Sequence, residues 1–262
     1  AIGGTIHIIT KKGKPGYKED VNLSAGSHGT NNLSTSFSGG DKNKNYYFGL
    51  QRFYTDGISQ MDHNSEKDRY RNNGLVSSFS NKFSDTLKVQ TNVRLADAYL
   101  QYDAVCVSSL FGCSSTRDHS EEVNTIESSA NLSLIYQPIK KFTNKFTVAN
   151  TYIERTYDAA PGSKNTLEDK YYGDRYAFLY QGNYNFDLDN SLIFGIERED
   201  DQIGYNKDLT GKKVESFYTS STYFDYQKRF TENVYATFGS RFDDNSVAGD
   251  EEAHRATFAY LF

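Results

Sequence analysis

The acidic segment 56–68 carries the side chains best suited to binding a metal ion. It contains the carboxylates of Asp56, Asp62 and Asp68. Ca²⁺ takes roughly six to eight oxygen ligands, and a carboxylate-rich loop can supply several of them. The alternative is that these are ordinary solvated carboxylates on an exposed loop. The residue types leave both interpretations open.

The other residues of chemical interest form no catalytic arrangement. The five histidines are scattered along the chain, and the sequence has no nucleophile elbow or phosphate-binding loop. Cys106 and Cys113 lie in a polar stretch, without further His or Cys residues at the spacing of a zinc site. They are expected either to form a small disulfide loop in an oxidising compartment or to remain two thiols. The sequence therefore predicts a protein that is not an enzyme.

The composition narrows the fold class. The chain has 262 residues, a formal net charge of −5 at pH 7, 21 Tyr and 18 Phe. This mild acidity argues against nucleic-acid binding, which needs a basic surface. No apolar run approaches the roughly 20 residues of a transmembrane helix. These features favour an all-β chain.

Alternation of polar and apolar residues is the dominant pattern of the sequence. In the segment 172–188, the even positions are mainly aromatic and the odd positions mainly polar or small. Strands of soluble proteins average about 5–6 residues, whereas a strand that crosses a membrane needs about 9–11. The alternating segments extend past that greater length. They predict a transmembrane antiparallel β-barrel with apolar side chains toward lipid and polar side chains toward the interior.

The connections between the alternating segments support this interpretation. Short links and longer links mostly alternate along the chain, as they do in outer-membrane barrels. The longer links are expected at 56–68, 104–120, 159–170, 207–213 and 246–252. About twelve strands are expected, at 17–28, 31–40, 45–56, 69–83, 86–103, 121–137, 142–158, 171–187, 191–206, 214–230, 233–245 and 253–262.

The first ten residues, AIGGTIHIIT, differ from the barrel pattern. They resemble the last strand of the plug domain in TonB-dependent outer-membrane receptors, with Gly3 and Gly4 permitting a tight bend. The segments FYTDGIS (53–59) and DRYRN (68–72) resemble the cobalamin (vitamin B12) transporter-like branch of that family. The resemblance implies that residues 1–13 end the plug and that 14–262 form the N-terminal half of a barrel of about 22 strands. The alternative is a complete twelve-stranded channel ending at the aromatic Phe262.

The resemblance also implies a function. Such a receptor imports a scarce, bulky nutrient across the outer membrane of a Gram-negative cell, driven by the TonB complex through a plug segment not contained in this sequence. Cobalamin or a related corrinoid is the expected substrate, and calcium bound by Asp56, Asp62 and Asp68 would order the outer loops. The alternatives are an iron-siderophore or haem receptor of the same fold, a passive porin-like channel and a soluble β-sandwich adhesin. Lipid, TonB and a small nutrient are the expected partners.

Aromatic residues near the outer ends of the expected strands are candidates for substrate contact. Tyr54, Tyr99 and Tyr102, together with the carboxylate of Asp103, would line the mouth of the barrel. The alternative for each tyrosine is the aromatic girdle at the membrane interface. Alternation also places Arg94, Arg175 and Arg241 on the polar side, where we expect them to pair with carboxylates.

Overall fold

The chain forms one large antiparallel sheet in the computed structural model, which describes residues 11–59, 67–103, 108–109, 112–113, 120–158, 169–207 and 211–261. Twelve long strands are neighbours in the sheet in the order in which they occur in the sequence, and two short strands pair with each other. The strands are β1 (Gly16–Ala25), β2 (Asn31–Gly40), β3 (Lys44–Thr55), β4 (Tyr70–Lys82), β5 (Leu87–Asp103), β6 (Ser108–Ser109), β7 (Gly112–Cys113), β8 (Ser120–Ile139), β9 (Phe142–Asp158), β10 (Asp169–Asn185), β11 (Asn190–Lys207), β12 (Gly211–Thr231), β13 (Val234–Asn245) and β14 (Gly249–Tyr260). Within these ranges, no helix is long and apolar enough to cross a membrane.

The all-β fold and the twelve long strands expected from the alternating pattern are confirmed. Two of the expected long links are shorter than predicted. The link expected at 207–213 ends before Gly211, where β12 begins, and the link expected at 246–252 ends before Gly249, where β14 begins. The polar residues there pair across the ladder, as Lys213 does with Tyr205. Backbone hydrogen bonds hold a strand even where side chains on both faces are polar, so side-chain polarity underestimates its length.

The register places the residues of each strand alternately on two chemically different faces. The polar face carries Ser, Asn, Gln, Arg, Asp and Glu side chains along most of the strands. The apolar face carries a continuous band of aliphatic and aromatic side chains, which includes Leu33, Phe37, Phe48, Leu50, Leu75, Val93, Leu95, Leu132, Leu134, Phe146, Val148, Tyr180, Phe194, Ile196, Phe238 and Phe242.

The band is exposed rather than packed into a core. No hydrophobic side chain among the described residues is buried, and Leu132 and Phe238 remain 49% and 50% exposed. A soluble sandwich would bury such a face against a second sheet, about 10 Å away. The described residues form no second layer of that kind.

The apolar band covers only the part of the sheet nearest the short turns. On the apolar face of β11, Leu192, Phe194 and Ile196 are followed by Arg198 and Asp200. Strands of 17 to 21 residues, such as β10 and β12, therefore extend well beyond the band. These strands are longer than the roughly 9–11 residues that suffice to cross a bilayer, and on the apolar face of β11 the additional length carries Arg198, Asp200 and Gln202.

The sheet has two edges among the described residues. β1 pairs only with β2, and β14 pairs only with β13. Every residue of both strands is exposed. Each edge therefore presents backbone N–H and C=O groups that a neighbouring strand could pair.

Candidate functional site

A groove rich in tyrosine lies at the end of the sheet nearest the long links. Its volume is about 510 Å³. We call it the tyrosine groove and define it by the polar-face residues Tyr70, Tyr102, Arg155 and Tyr157. Tyr70 lies on β4, Tyr102 lies on β5, and Arg155 and Tyr157 lie on β9, while Thr125 of the intervening strand β8 also lines the groove.

A second groove adjoins the tyrosine groove. It measures about 690 Å³ and includes Tyr171, Tyr205, Lys213 and Glu215. Arg155 lines both grooves. The register explains this arrangement, because Arg155 lies opposite Tyr171, which lies opposite Tyr205, so the three side chains form a row across β9, β10 and β11.

The Arg155 guanidinium differs from most arginines of the polar face in its surroundings. Among the described residues, no hydrogen bond or ion pair involves it. Guanidinium groups bind carboxylates and phosphates through paired donors and stack on aromatic rings. An unpaired arginine between Tyr157 and Tyr171 can therefore contact a ligand that has both a flat apolar part and an acceptor group.

The arginines singled out in the sequence are paired instead. Arg94 lies 2.7 Å from Glu127, Arg175 lies 2.7 Å from Asp201, and Arg241 lies 2.7 Å from Glu197. Each pair joins neighbouring strands or strands two apart on the polar face. The expected pairing with carboxylates is confirmed, and its partners belong to the sheet itself. These partly exposed pairs fix side-chain positions more than they add stability.

The structure separates the three candidate tyrosines. Tyr102 lies on the polar face and lines the tyrosine groove, which Tyr99 also borders although the register assigns Tyr99 to the other face. Tyr54 and Tyr99 lie on the apolar face, each opposite Arg71, whose guanidinium carbon is 5.7 Å from the centre of the Tyr99 ring. The strand period of two causes this difference, because the odd-numbered Tyr99 and the even-numbered Tyr102 of β5 must point to opposite sides. Their position on the apolar face fits the aromatic-girdle interpretation for Tyr54 and Tyr99.

The corner at the end of β3 holds Asp56 in a network of contacts. The Tyr54 hydroxyl donates to its carboxylate over 2.7 Å, and the Lys67 ammonium lies 3.2 Å away. The Asp56 backbone N–H donates to the His28 carbonyl. The Tyr54 hydroxyl, followed by Lys67, holds the pKa of the Asp56 carboxyl below its usual range. Asp56 therefore stays ionised, with part of its coordinating capacity already used by these donors.

Asp68 lies at the other end of the same loop. Asp68 is buried, with 8% exposure, and its backbone N–H is 3.4 Å from the Ile58 carbonyl. Among the described residues, no group of three His, Cys, Asp or Glu side chains is arranged to hold a metal ion. Asp62, the third expected calcium ligand, lies outside the described residues. Calcium binding by Asp56, Asp62 and Asp68 stays a prediction.

Several other expected site residues also lie outside the described part of the chain. They are Gly3 and Gly4 of the plug-like segment and Cys106. The structure gives the backbone of Asp103 and Cys113 without describing their side chains. The predicted plug turn, the Cys106–Cys113 disulfide and the substrate contact of Asp103 therefore stay predictions.

Sequence reasoning did not find Arg155, Tyr157 and Tyr171. Each lies in an alternating segment, but its neighbours in the two grooves come from other strands, so no single segment shows them together. The aligned register is needed to see that Arg155 and Tyr171 are opposite each other. The only sequence signal is an arginine on the polar side of a strand flanked by aromatic residues.

Solved structures of several other proteins contain a sheet similar to this one. The ferric enterobactin receptor PfeA mutant G324V from Pseudomonas aeruginosa matches with a TM-score of 0.74 and 8% identity, over 97% of this chain and 43% of that chain. The copper transporter OprC matches with a TM-score of 0.68 and 11% identity, over 95% and 42%. The RagAB peptide transporter matches with a TM-score of 0.65 and 17% identity, over 87% and 34%.

No family model and no curated protein matched the sequence in the corresponding searches. The structural matches have low sequence identity and therefore establish the fold alone. The chain spans less than half the length of each of these three proteins. The chain thus has the all-β fold of a part of several uptake receptors and transporters.

Proposed function

We propose that this chain is part of the wall of a TonB-dependent receptor that imports a small, scarce nutrient through the outer membrane of a Gram-negative cell. The observation that carries the proposal is the single sheet with an exposed apolar band on one face and ion pairs on the other. The apolar band would contact lipid, and the polar face would line a hydrated interior. The protein acts by binding and conformational change, without bond chemistry.

The alternatives explain fewer of the observations. A soluble sandwich needs a second sheet over the apolar band, and none is formed by the described residues. A passive porin-like channel would share the two faces of the sheet. The resemblance of residues 1–10 to the end of a plug domain favours a plugged receptor, and the solved structures with this fold include receptors named for their ligands.

Cobalamin or a related corrinoid is the substrate that the segments 53–59 and 68–72 favour. A ferric siderophore is the second candidate, because several structures of the same fold are siderophore receptors by name. Both kinds of ligand are bulky and rich in acceptor oxygens. Tyr102 and Tyr157 offer ring faces for such a ligand, and Arg155 offers donors.

Binding measurements on the full-length protein containing this chain would test the proposal. Cyanocobalamin and ferric enterobactin would be titrated separately against the wild type and against Arg155→Ala and Tyr102→Ala. We expect each variant to weaken binding of the true substrate about tenfold, which corresponds to about 1.4 kcal/mol. Lys88→Ala is the matched control, because Lys88 lies on the polar face of the same strand as Tyr102, near its other end.

Four outcomes of these measurements are informative. Tight binding of cyanocobalamin alone would support the corrinoid substrate, and tight binding of ferric enterobactin alone would replace it with a siderophore. Binding of neither, combined with size-dependent leakage of small solutes through proteoliposomes, would contradict the receptor proposal. A loss of affinity in Lys88→Ala equal to that in Arg155→Ala would contradict the role of the tyrosine groove.

We also propose that calcium orders the loop 56–68 through Asp56, Asp62 and Asp68. Calcium would have to share the Asp56 carboxylate with Tyr54 and Lys67. Chelation should then weaken substrate binding and speed proteolysis within the loop, and added Ca²⁺ should reverse both effects. Unchanged affinity and unchanged proteolysis on chelation would contradict this site.

A further inference from the structure

The apolar face holds a groove that begins in the apolar band and ends at an arginine. The groove measures about 630 Å³ and spans β2, β3, β4, β5 and β8. We call it the leucine groove, defined by Leu33, Leu50, Leu75, Leu95 and Ile126 with Arg52 at its polar boundary. It lies on the opposite face from the tyrosine groove.

Two adjacent rows of side chains build the leucine groove. In the lower row, Leu50 of β3, Leu75 of β4 and Leu95 of β5 lie directly opposite one another. In the next row toward the long links, Arg52 lies opposite Asn73, and Asn73 lies opposite Asp97. Leu33 lies opposite Arg52 and Ile126 lies opposite Asp97, so the polar side chains of this second row lie between apolar ones and next to the row of leucines.

Among the charged side chains at this boundary, Arg52 has no counter-ion from the described residues. Asp97 is already paired, because Arg71 lies 3.4 Å away and the Asn73 amide donates to it over 3.1 Å. The Arg52 side chain is exposed, and no hydrogen bond or ion pair among the described residues involves it. The local arrangement thus leaves one unneutralised positive charge beside a row of leucines.

A cation at the edge of a hydrocarbon band needs a particular kind of partner. Arginine keeps its stem along apolar surface while its guanidinium reaches the headgroup region. A phosphate accepts the paired donors of a guanidinium, and the acyl chains attached to it match the leucine row below. A free phosphate would satisfy Arg52 but leave the exposed leucines without contact.

We propose that the leucine groove binds a phosphorylated lipid, with its acyl chain along Leu50, Leu75 and Leu95 and its phosphate on Arg52. The proposal rests on the membrane location given under the proposed function. It concerns the lipid-facing side of the sheet and is independent of the nutrient substrate. The lipid would fix the height of β2–β5 in the membrane.

Native mass spectrometry of the full-length protein in phosphatidylcholine nanodiscs would test the proposal, with diphosphoryl lipid A as the probe. We expect the Arg52→Gln variant to retain lipid A about fivefold less than the wild type, since one basic residue near an anionic surface contributes about 1 kcal/mol. A second variant, Leu75→Gln, should also reduce retention, because it interrupts the leucine row. Lipid A without its phosphates should be retained equally by the wild type and by Arg52→Gln.

Arg198→Gln is the matched control. Arg198 also lies on the apolar face just beyond the band, but its guanidinium is 2.7 Å from Asp200 and lies 3.8 Å from the centre of the Tyr218 ring. This neutralised arginine should be replaceable without loss of lipid A. Equal losses in Arg52→Gln and Arg198→Gln would overturn the proposal, as would undiminished retention in Arg52→Gln.

Two further measurements separate this inference from the proposed function. Displacement of lipid A by millimolar inorganic phosphate would show that the site recognises free phosphate, and would overturn the lipid assignment. If the protein fails to float with vesicles, both the membrane location and the lipid site are wrong. If it floats and retains lipid A but binds no nutrient, only the receptor proposal fails.

Discussion

At the scale of single residues, the loop after β3 depends on a glycine with an unusual backbone. Gly57 has a φ of +70°, and a Cβ at this position would lie 2.0 Å from the Asp68 carbonyl oxygen. A left-handed conformation costs an L-residue roughly 1–2 kcal/mol, and the contact with backbone adds to this cost. Gly57 thus brings the two ends of the acidic loop together, which places Asp56 near Lys67.

Replacement of Gly57 by alanine tests this role. Gly57→Ala should lower the free energy of unfolding by at least about 1 kcal/mol and should make the loop 56–68 more sensitive to protease. Urea titration in lipid vesicles and limited proteolysis would measure the two effects. Gly74→Ala is the control, because a Cβ at Gly74 would meet no atom within 4 Å. Equal stability of both variants would show that the loop tolerates another path.

The carboxylate of Asp41, in the short turn between β2 and β3, leads to a prediction about how the stability of the fold depends on pH. The backbone N–H groups of Asn43 and Lys44 donate to Asp41 over 2.8 Å and 3.0 Å. These bonds, in that order, lower the pKa of the Asp41 carboxyl in the folded protein. Because the folded pKa is the lower one, the carboxylate stabilises the fold above the unfolded pKa of about 3.9. That stabilisation is lost as the pH falls through the folded pKa.

The difference in unfolding free energy between the wild type and Asp41→Ala should therefore be constant from pH 7 to pH 5. It should shrink as the pH falls below about 4. Urea titrations at a series of pH values would measure it. Asp41→Asn keeps an acceptor without the charge, so its own unfolding should lack this contribution to the pH dependence. A difference that does not change with pH would show that the charge has no part in the turn.

At the scale of elements, neighbouring residues of one strand are expected to tolerate charge very differently. Leu132 lies on the apolar face of β8, and Asn131 lies on the polar face beside Asn92. On the proposed membrane location, a lysine at the centre of the lipid-facing band costs about 2–4 kcal/mol, whereas the polar face lines a hydrated interior.

Leu132→Lys should therefore lower the unfolding free energy by about 2–4 kcal/mol. Asn131→Lys should lower it by less than about 1 kcal/mol, since it loses only the side-chain hydrogen bond to Asn92. Equilibrium unfolding from phosphatidylcholine vesicles would compare the two variants directly. If Asn131→Lys were the more damaging change, the assignment of the two faces would be reversed.

At the scale of the whole molecule, the free edges of β1 and β14 determine how the sheet can exist in a membrane. An unpaired backbone group in hydrocarbon costs several kcal/mol, so membrane sheets close into barrels. The sheet of described residues does not close on itself. Each edge therefore needs another strand if the sheet lies in lipid.

Residues 1–262 expressed alone should for this reason fail to form a sealed monomeric barrel. Semi-native electrophoresis with and without heating would show no compact monomer that shifts on boiling. The full-length protein containing this chain is the control and should show that shift. A heat-modifiable monomer of 262 residues would mean that β1 and β14 pair with each other in a twelve-stranded channel.

The strands could be predicted from the sequence because alternation is a local property. A residue and its neighbours two positions away share a face whatever the rest of the chain does, so the segment 172–188 predicts β10 without further information. The ends of β12 and β14 were harder to predict, because polar residues pair as well as apolar ones in the ladder. Tyr54, Tyr99 and Tyr102 illustrate a related difficulty, since proximity to a strand end does not specify the face; their contact with substrate stays a prediction.

The sequence by itself determined the all-β class, the number of long strands and the division of each strand into an apolar and a polar face. Only the tertiary structure decided which side chains meet across strands, because register joins residues far apart in the chain. The row of Arg155, Tyr171 and Tyr205 and the row of Leu50, Leu75 and Leu95 both arise in this way. Hydrogen bonds between backbones align these strands, and no local pattern records that alignment.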